Sequence, residues 1–80
     1  MKQEDAIKLA SENFNLKGQR WKNKLTNELE TVIDVSASQL RKVDYAWVVV
    51  VSFAPEINGV NVKIKDCLLD DFFANYILFN

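Results

Sequence analysis

Val43-Asp44-Tyr45-Ala46-Trp47-Val48-Val49-Val50-Val51-Ser52-Phe53 is β-branched or aromatic almost throughout and holds neither glycine nor proline, the composition of a central strand. Read with a period of two, Val43, Tyr45, Trp47, Val49, Val51 and Phe53 share one face, while Asp44, Ala46, Val48, Val50 and Ser52 share the other. The middle of the second face is apolar as well, so the strand calls for cover on both sides, from its own chain or from a partner. Fully extended it reaches about 35 Å, roughly twice the usual strand, and is expected to curve around something.

Downstream, Asn58-Gly59 between Ile57 and Val60 signals a two-residue hairpin turn. Pairing outward from that turn sets Ile57 opposite Val60, Pro55 opposite Val62 and Phe53 opposite Ile64, with Asn61, Lys63 and Lys65 pointing away. Pro55 has no amide hydrogen, so that end of the hairpin is expected to be an edge or a bulge. The tail from Asp66 to Asn80 has apolar pairs at 68/69, 72/73 and 76/77. This spacing predicts a C-terminal helix with Asp66 as its cap and Asp70 and Asp71 in the first turns. So apolar a tail either packs back on the sheet or supplies an interface.

Upstream, Thr31 to Val35 alternates as a strand with Ile33 and Val35 inward, and residues 36–42 make the connection into the long strand. Residues 19–30 are read either as a short helix, on the four-residue spacing of Trp21, Leu25 and Leu29, or as a loop. Residues 3–14 predict an amphipathic helix with Ile7, Ala10 and Phe14 on one stripe and Ala6 and Leu9 beside it. The small Ala6 and Ala10 would let it lie close to a sheet. The expected fold is α+β: an N-terminal helix packed on a three-stranded antiparallel sheet, with a C-terminal helix. Its core would hold Ile7, Ala10, Phe14, Leu25, Ile33, Val35, Trp47, Val49, Val51, Phe53, Val62, Ile64, Leu69, Phe72 and Phe73.

Eighty residues are expected to make one domain. The 49% apolar and 26% charged content is that of an ordinary globular protein, and the net charge of −1 disfavours a dedicated nucleic-acid binder. No apolar run reaches membrane-spanning length, Met1-Lys2-Gln3-Glu4-Asp5 is no secretory leader, and one cysteine cannot make an internal disulfide. A cytoplasmic setting without membrane attachment is therefore expected.

The chain has no histidine and a single cysteine, Cys67, which removes His-based acid–base chemistry, Cys-His or Ser-His nucleophilic sites and the Cys-rich zinc patterns. Gly18 and Gly59 stand alone, so no phosphate-cradling loop is present. No catalytic residue, cofactor or metal site is expected. Asp70 and Asp71 read as dipole partners of a helix and Cys67 as a small buried hydrophobe.

The one charge cluster, Lys17-Gly18-Gln19-Arg20-Trp21-Lys22-Asn23-Lys24, carries four cations and no acid. Lys17, Arg20, Lys22 and Lys24 around Trp21 could grip phosphates while the indole stacks on a base. The plainer reading, favoured in a slightly acidic protein, anchors Trp21 in the core and leaves the cations solvated or facing an acidic protein. Tyr45 and Trp47 are core aromatics if their face is covered and binding anchors if it is open.

The order of parts resembles a known family. Glu4-Asp5-Ala6-Ile7, Ala10 and Phe14 in a first helix, then Val32-Ile33-Asp34, then Asp44-Tyr45-Ala46-Trp47-Val48 are similar to small bacterial immunity proteins of polymorphic toxin systems. In that family a helix packs on an antiparallel sheet, and members neutralise a cognate toxin by binding it. The resemblance implies a non-catalytic protein-binding module. Two alternatives stand beside it: nucleic-acid binding through residues 17–24, and a self-associating structural protein built as a homodimer.

Overall fold

The structure, a computed structural model, describes residues 1–40, 46–57 and 60–79. Helix α1 (Gln3–Glu12) carries Glu4 and Asp5 in its first turn, where carboxylates suit the positive end of the dipole. It stops because Asn13 folds its side-chain amide back onto the Leu9 carbonyl at 2.9 Å. The face it buries is Ala6 and Ala10 with Leu9 beside them. Ile7 and Phe14 stay about half exposed, so the packed stripe is rotated from the expected one. Short side chains let the helix backbone approach the sheet, and a 3₁₀ turn at Phe14–Leu16 inserts Leu16 where Phe14 was expected.

The strands are β1 (Arg20–Asn23), β2 (Leu29–Gln39), β3 (Trp47–Ile57), β4 (Val60–Asn61) and β5 (Lys65–Leu68), followed by α2 (Leu69–Asn75) and β6 (Tyr76–Leu78). All pairings are antiparallel, in the order β4-β3-β2-β1-β6, with β5 beside β4 on the same edge of β3. The fold is α+β as expected, but the described sheet is five positions wide rather than three. The extra strands come from residues 19–30, which are neither helix nor loop at their start, and from the tail.

The turn after β1 is built by Asn23. Its Oδ1 accepts the amides of Leu25 and Thr26 at 2.8 and 3.2 Å, and its carbonyl accepts the amide of Asn27 at 2.9 Å. Asn27 takes a left-handed φ of 61°, which asparagine tolerates. Leu25 sits at the tip of this turn and is 89% exposed, so it leaves the expected core.

Strand β2 extends through the segment expected as a connection. Val32 pairs with Phe53 and Asp34 with Ser52, so Ile33 is a bulge residue. Val32 and Val35, not Ile33 and Val35, therefore face the helices and are buried. Trp47, Val49, Val51 and Phe53 face the same way, as the period-two reading required. Asp44 and Tyr45 lie outside the described residues.

Ile57 does pair with Val60, and the Val62 amide donates to the Pro55 carbonyl at 3.0 Å; the turn itself lies outside the described residues. Beyond that point the expected register fails. Phe53 pairs with Lys65 rather than Ile64, so residues 62–64 stand opposite 54–55 with one residue in excess. Pro55 presents a carbonyl to this edge but no N–H, so the ladder breaks there, and the break takes the form of a bulge. Val62 and Ile64 are exposed as a result, at 42% and 60%.

The expected C-terminal helix is shorter than its pattern. Asp66 lies in β5, where it accepts the Ser52 hydroxyl at 2.7 Å instead of capping a helix. Asp70 and Asp71 do occupy the first turn of α2, and Leu69 and Phe72 are its buried residues, while Phe73 is 42% exposed. Tyr76 to Leu78 then leave the helix to pair with β1. Both helices pack on one face of the sheet. No helix among the described residues is long and apolar enough to cross a membrane.

Candidate binding surface

On the helix-covered face, Phe72 is fully buried at the centre of an aromatic cluster. Trp21 meets it edge-on at 5.0 Å, Tyr76 stacks on it at 4.7 Å, and Phe53 contacts both Phe72 and Tyr76. Geometries of this kind add about 0.5–1.5 kcal/mol per pair beyond area burial. Trp21 is thus a core anchor, its indole N–H held by Gln19 at 3.2 Å. Trp47 is half-buried and packs against the same core, with Met1 bonded to its backbone in both directions at 3.2 Å.

Beneath α2 lies a carboxylate that the sequence pattern did not single out. Glu30 is only 1% exposed and sits on the helix-covered face between Trp21 and Pro55. Its Oε1 is 3.8 Å from the Lys65 ammonium, and its Oε2 accepts no hydrogen bond from the described residues. The bulge at 62–64 is what turns Lys65 onto this face. Tyr76 stands beside the pair, its hydroxyl accepting the Asn23 amide at 3.3 Å, and its pKa is pushed well up, first by burial and then by Glu30. Burial and then the carboxylates of Asp71, Glu30 and Asp66 push the Cys67 thiol up to about 11. That keeps it protonated and away from its nucleophilic form at neutral pH.

Among the described residues, the opposite face of the sheet carries no helix. Strand alternation places there Val48, Val50, Ser52, Ala54 and Glu56 of β3, Thr31, Ser36 and Ser38 of β2, Arg20 and Lys22 of β1, and Ile77 and then Phe79 at the β6 edge. Arg20 reaches across β2 to Glu56 at 3.1 Å and also covers the Phe79 ring at 5.3 Å. Val48 and Val50 are half-buried, and Ile77 and Phe79 are 53% and 41% exposed. The Arg20–Glu56 pair thus crosses one end of this face beside Ile77 and Phe79, Asp34 and Asp66 flank Ser52 at its middle, and Val48 and Val50 stand beyond them. A polar centre with apolar neighbours fits a protein partner, since interfaces combine aromatic and aliphatic anchors with arginine.

The expected binding residues are therefore divided. Arg20 and Lys22 reach the open face, whereas Trp21 and Trp47 belong to the covered one. Lys17 lies against its neighbour Phe14 at 5.4 Å, and Lys24 donates to the Ala74 carbonyl at 2.9 Å, holding the end of α2. Tyr45 lies outside the described residues. The basic run is split by strand alternation, so its indole does not stand among its cations. A period of two over Arg20-Trp21-Lys22-Asn23 was the signal available for this.

No protein-family model, curated protein or solved structure matches the chain.

Proposed function

We propose that the chain is a non-catalytic protein-binding module of the immunity type, acting in the cytoplasm and neutralising a partner protein, such as a toxin, held against the open sheet face. One observation supports it above the others: both helices lie on one side, and the long central strand keeps Val48 and Val50 on the other, in line with the Arg20–Glu56 pair. A doubly apolar strand in so small a chain is the sequence of a surface that is covered in use. Nucleic-acid binding draws less support, because Trp21 is engaged with Phe72 rather than presented beside Arg20 and Lys22.

Affinity capture from source-cell lysate tests it, using tagged chain with nuclease treatment and a salt wash. One discrete protein should be retained by the native chain and by Ile7→Glu on the outer side of α1, and lost with Val50→Glu. Loss of the signal to nuclease or salt would move the weight to the cations of β1. Recovery of untagged copies alone would mean self-association.

A further inference from the structure

At the edge of the open face, where β5 turns into α2, the structure contains a socket. Met1, Leu9, Val48, Val49, Leu68 and Leu69 give it an apolar lining, and Asp70 is its one acidic side chain. Its volume is about 100 Å³. A cavity of ~150 Å³ takes a benzene ring, and sites for drug-sized ligands begin at roughly 300 Å³. The socket therefore suits one branched aliphatic side chain and is too small for an indole or a cofactor. A second, shallower hollow continues from it over Leu9 along α1, bordered by Asp5, Lys8 and Glu12. Asp5, Glu12 and Asp70 are exposed and form no ion pair with the described residues. Three carboxylates against two cations, Lys8 and the Met1 ammonium that donates to the Trp47 carbonyl at 3.2 Å, leave the track with a net charge of −1.

Resting on the protein-binding reading above, we propose that this socket receives an aliphatic side chain flanked by lysine or arginine on the partner protein. The apolar lining fixes the anchor, and the acidic track selects its neighbours by charge. Val48 belongs to both the socket and the open face, and Leu68 extends that face onto β5, so one partner can lie across the open face and place its anchor over the sheet edge. A neutral or acidic segment would meet the same lining with no attraction, or with repulsion, along the track.

The test is an NMR titration of ¹⁵N-labelled chain with three end-blocked pentapeptides: Gly-Lys-Leu-Lys-Gly, Gly-Glu-Leu-Glu-Gly and Gly-Lys-Ser-Lys-Gly. The first should shift the amides of Leu9, Val49, Leu69 and Asp70 saturably, with affinity at least about tenfold above the other two. Asp70→Lys and Glu12→Lys, both at exposed sites where folding is not at stake, should abolish that preference. Equal binding of the three peptides, or shifts confined to other residues, would overturn the proposal. Capture of the natural partner separates it from the broader reading. If Val50→Glu loses the partner and Asp70→Lys keeps it at native strength, the module stands and the socket does not. If Asp70→Lys loses it as well, both stand.

Discussion

On the helix side of the sheet, Phe53, Phe72, Tyr76 and Trp21 meet ring to ring, and the polar exception among them, Glu30, is sealed beneath α2 with Lys65 as its ion-pair partner. On the far side, valines stand next to serines, threonine and a charge pair, and the polar groups reach water or each other. The same strands, β2 and β3 above all, supply both faces, with side chains one position apart. Stability is therefore concentrated on the helix-covered side. Substitutions should reveal that asymmetry.

The largest effect is expected from Phe72→Ala, which empties the centre of the aromatic cluster and should cost about 4 kcal/mol in urea or thermal unfolding. A loss below about 1 kcal/mol would mean that the helix-side cluster is not what holds the fold. An intermediate effect is expected from Lys65→Ala, which leaves the Glu30 carboxylate buried without its cation. Breaking a buried ion pair costs 3–5 kcal/mol, and with Lys65 half exposed a loss of roughly 2 kcal/mol is the expectation. Unchanged stability would show that Lys65 is not what holds Glu30 on the helix-covered side. The smallest effect is expected from Val50→Thr on the open face, within about 0.5 kcal/mol. A loss several times larger would show that this face is packed against something in the free chain.

The faces of β3 were legible because Trp47, Val49, Val51 and Phe53 alternate with residues of a different neighbourhood and nothing interrupts the run. Strand β1 was not legible. Arg20-Trp21-Lys22-Asn23 contains one apolar residue, and the recurrence of Trp21, Leu25 and Leu29 imitates a helix although Leu25 ends at a turn tip. In the tail, Leu69, Phe72 and Phe73 do lie on the helix, but Leu68 belongs to β5, and Tyr76 and Ile77 continue the same rhythm into a strand. What ends the helix there is the free edge of β1, a tertiary partner that no local pattern contains. Glu30 was invisible for a similar reason. A carboxylate in a strand reads as solvated until α2 folds over it and the bulge after Pro55 delivers Lys65.

That β1 lies between β2 and β6 has a consequence for the order of assembly. β2 follows β1 closely in the chain, but β6 arrives more than fifty residues later, Asn23 facing Tyr76. Long-range closures of this kind are slow steps. As the chain emerges from the ribosome, α1 and the β1–β3 sheet can form while Phe53 and Trp21 have no ring above them and β1 is still an open edge. Synthesis of residues 69–79 closes the core and the edge together. The vulnerable species is therefore the chain that lacks this last segment: a sheet bare on one face, only partly covered by α1 on the other and open along one side, able to join its neighbours before it can cover itself.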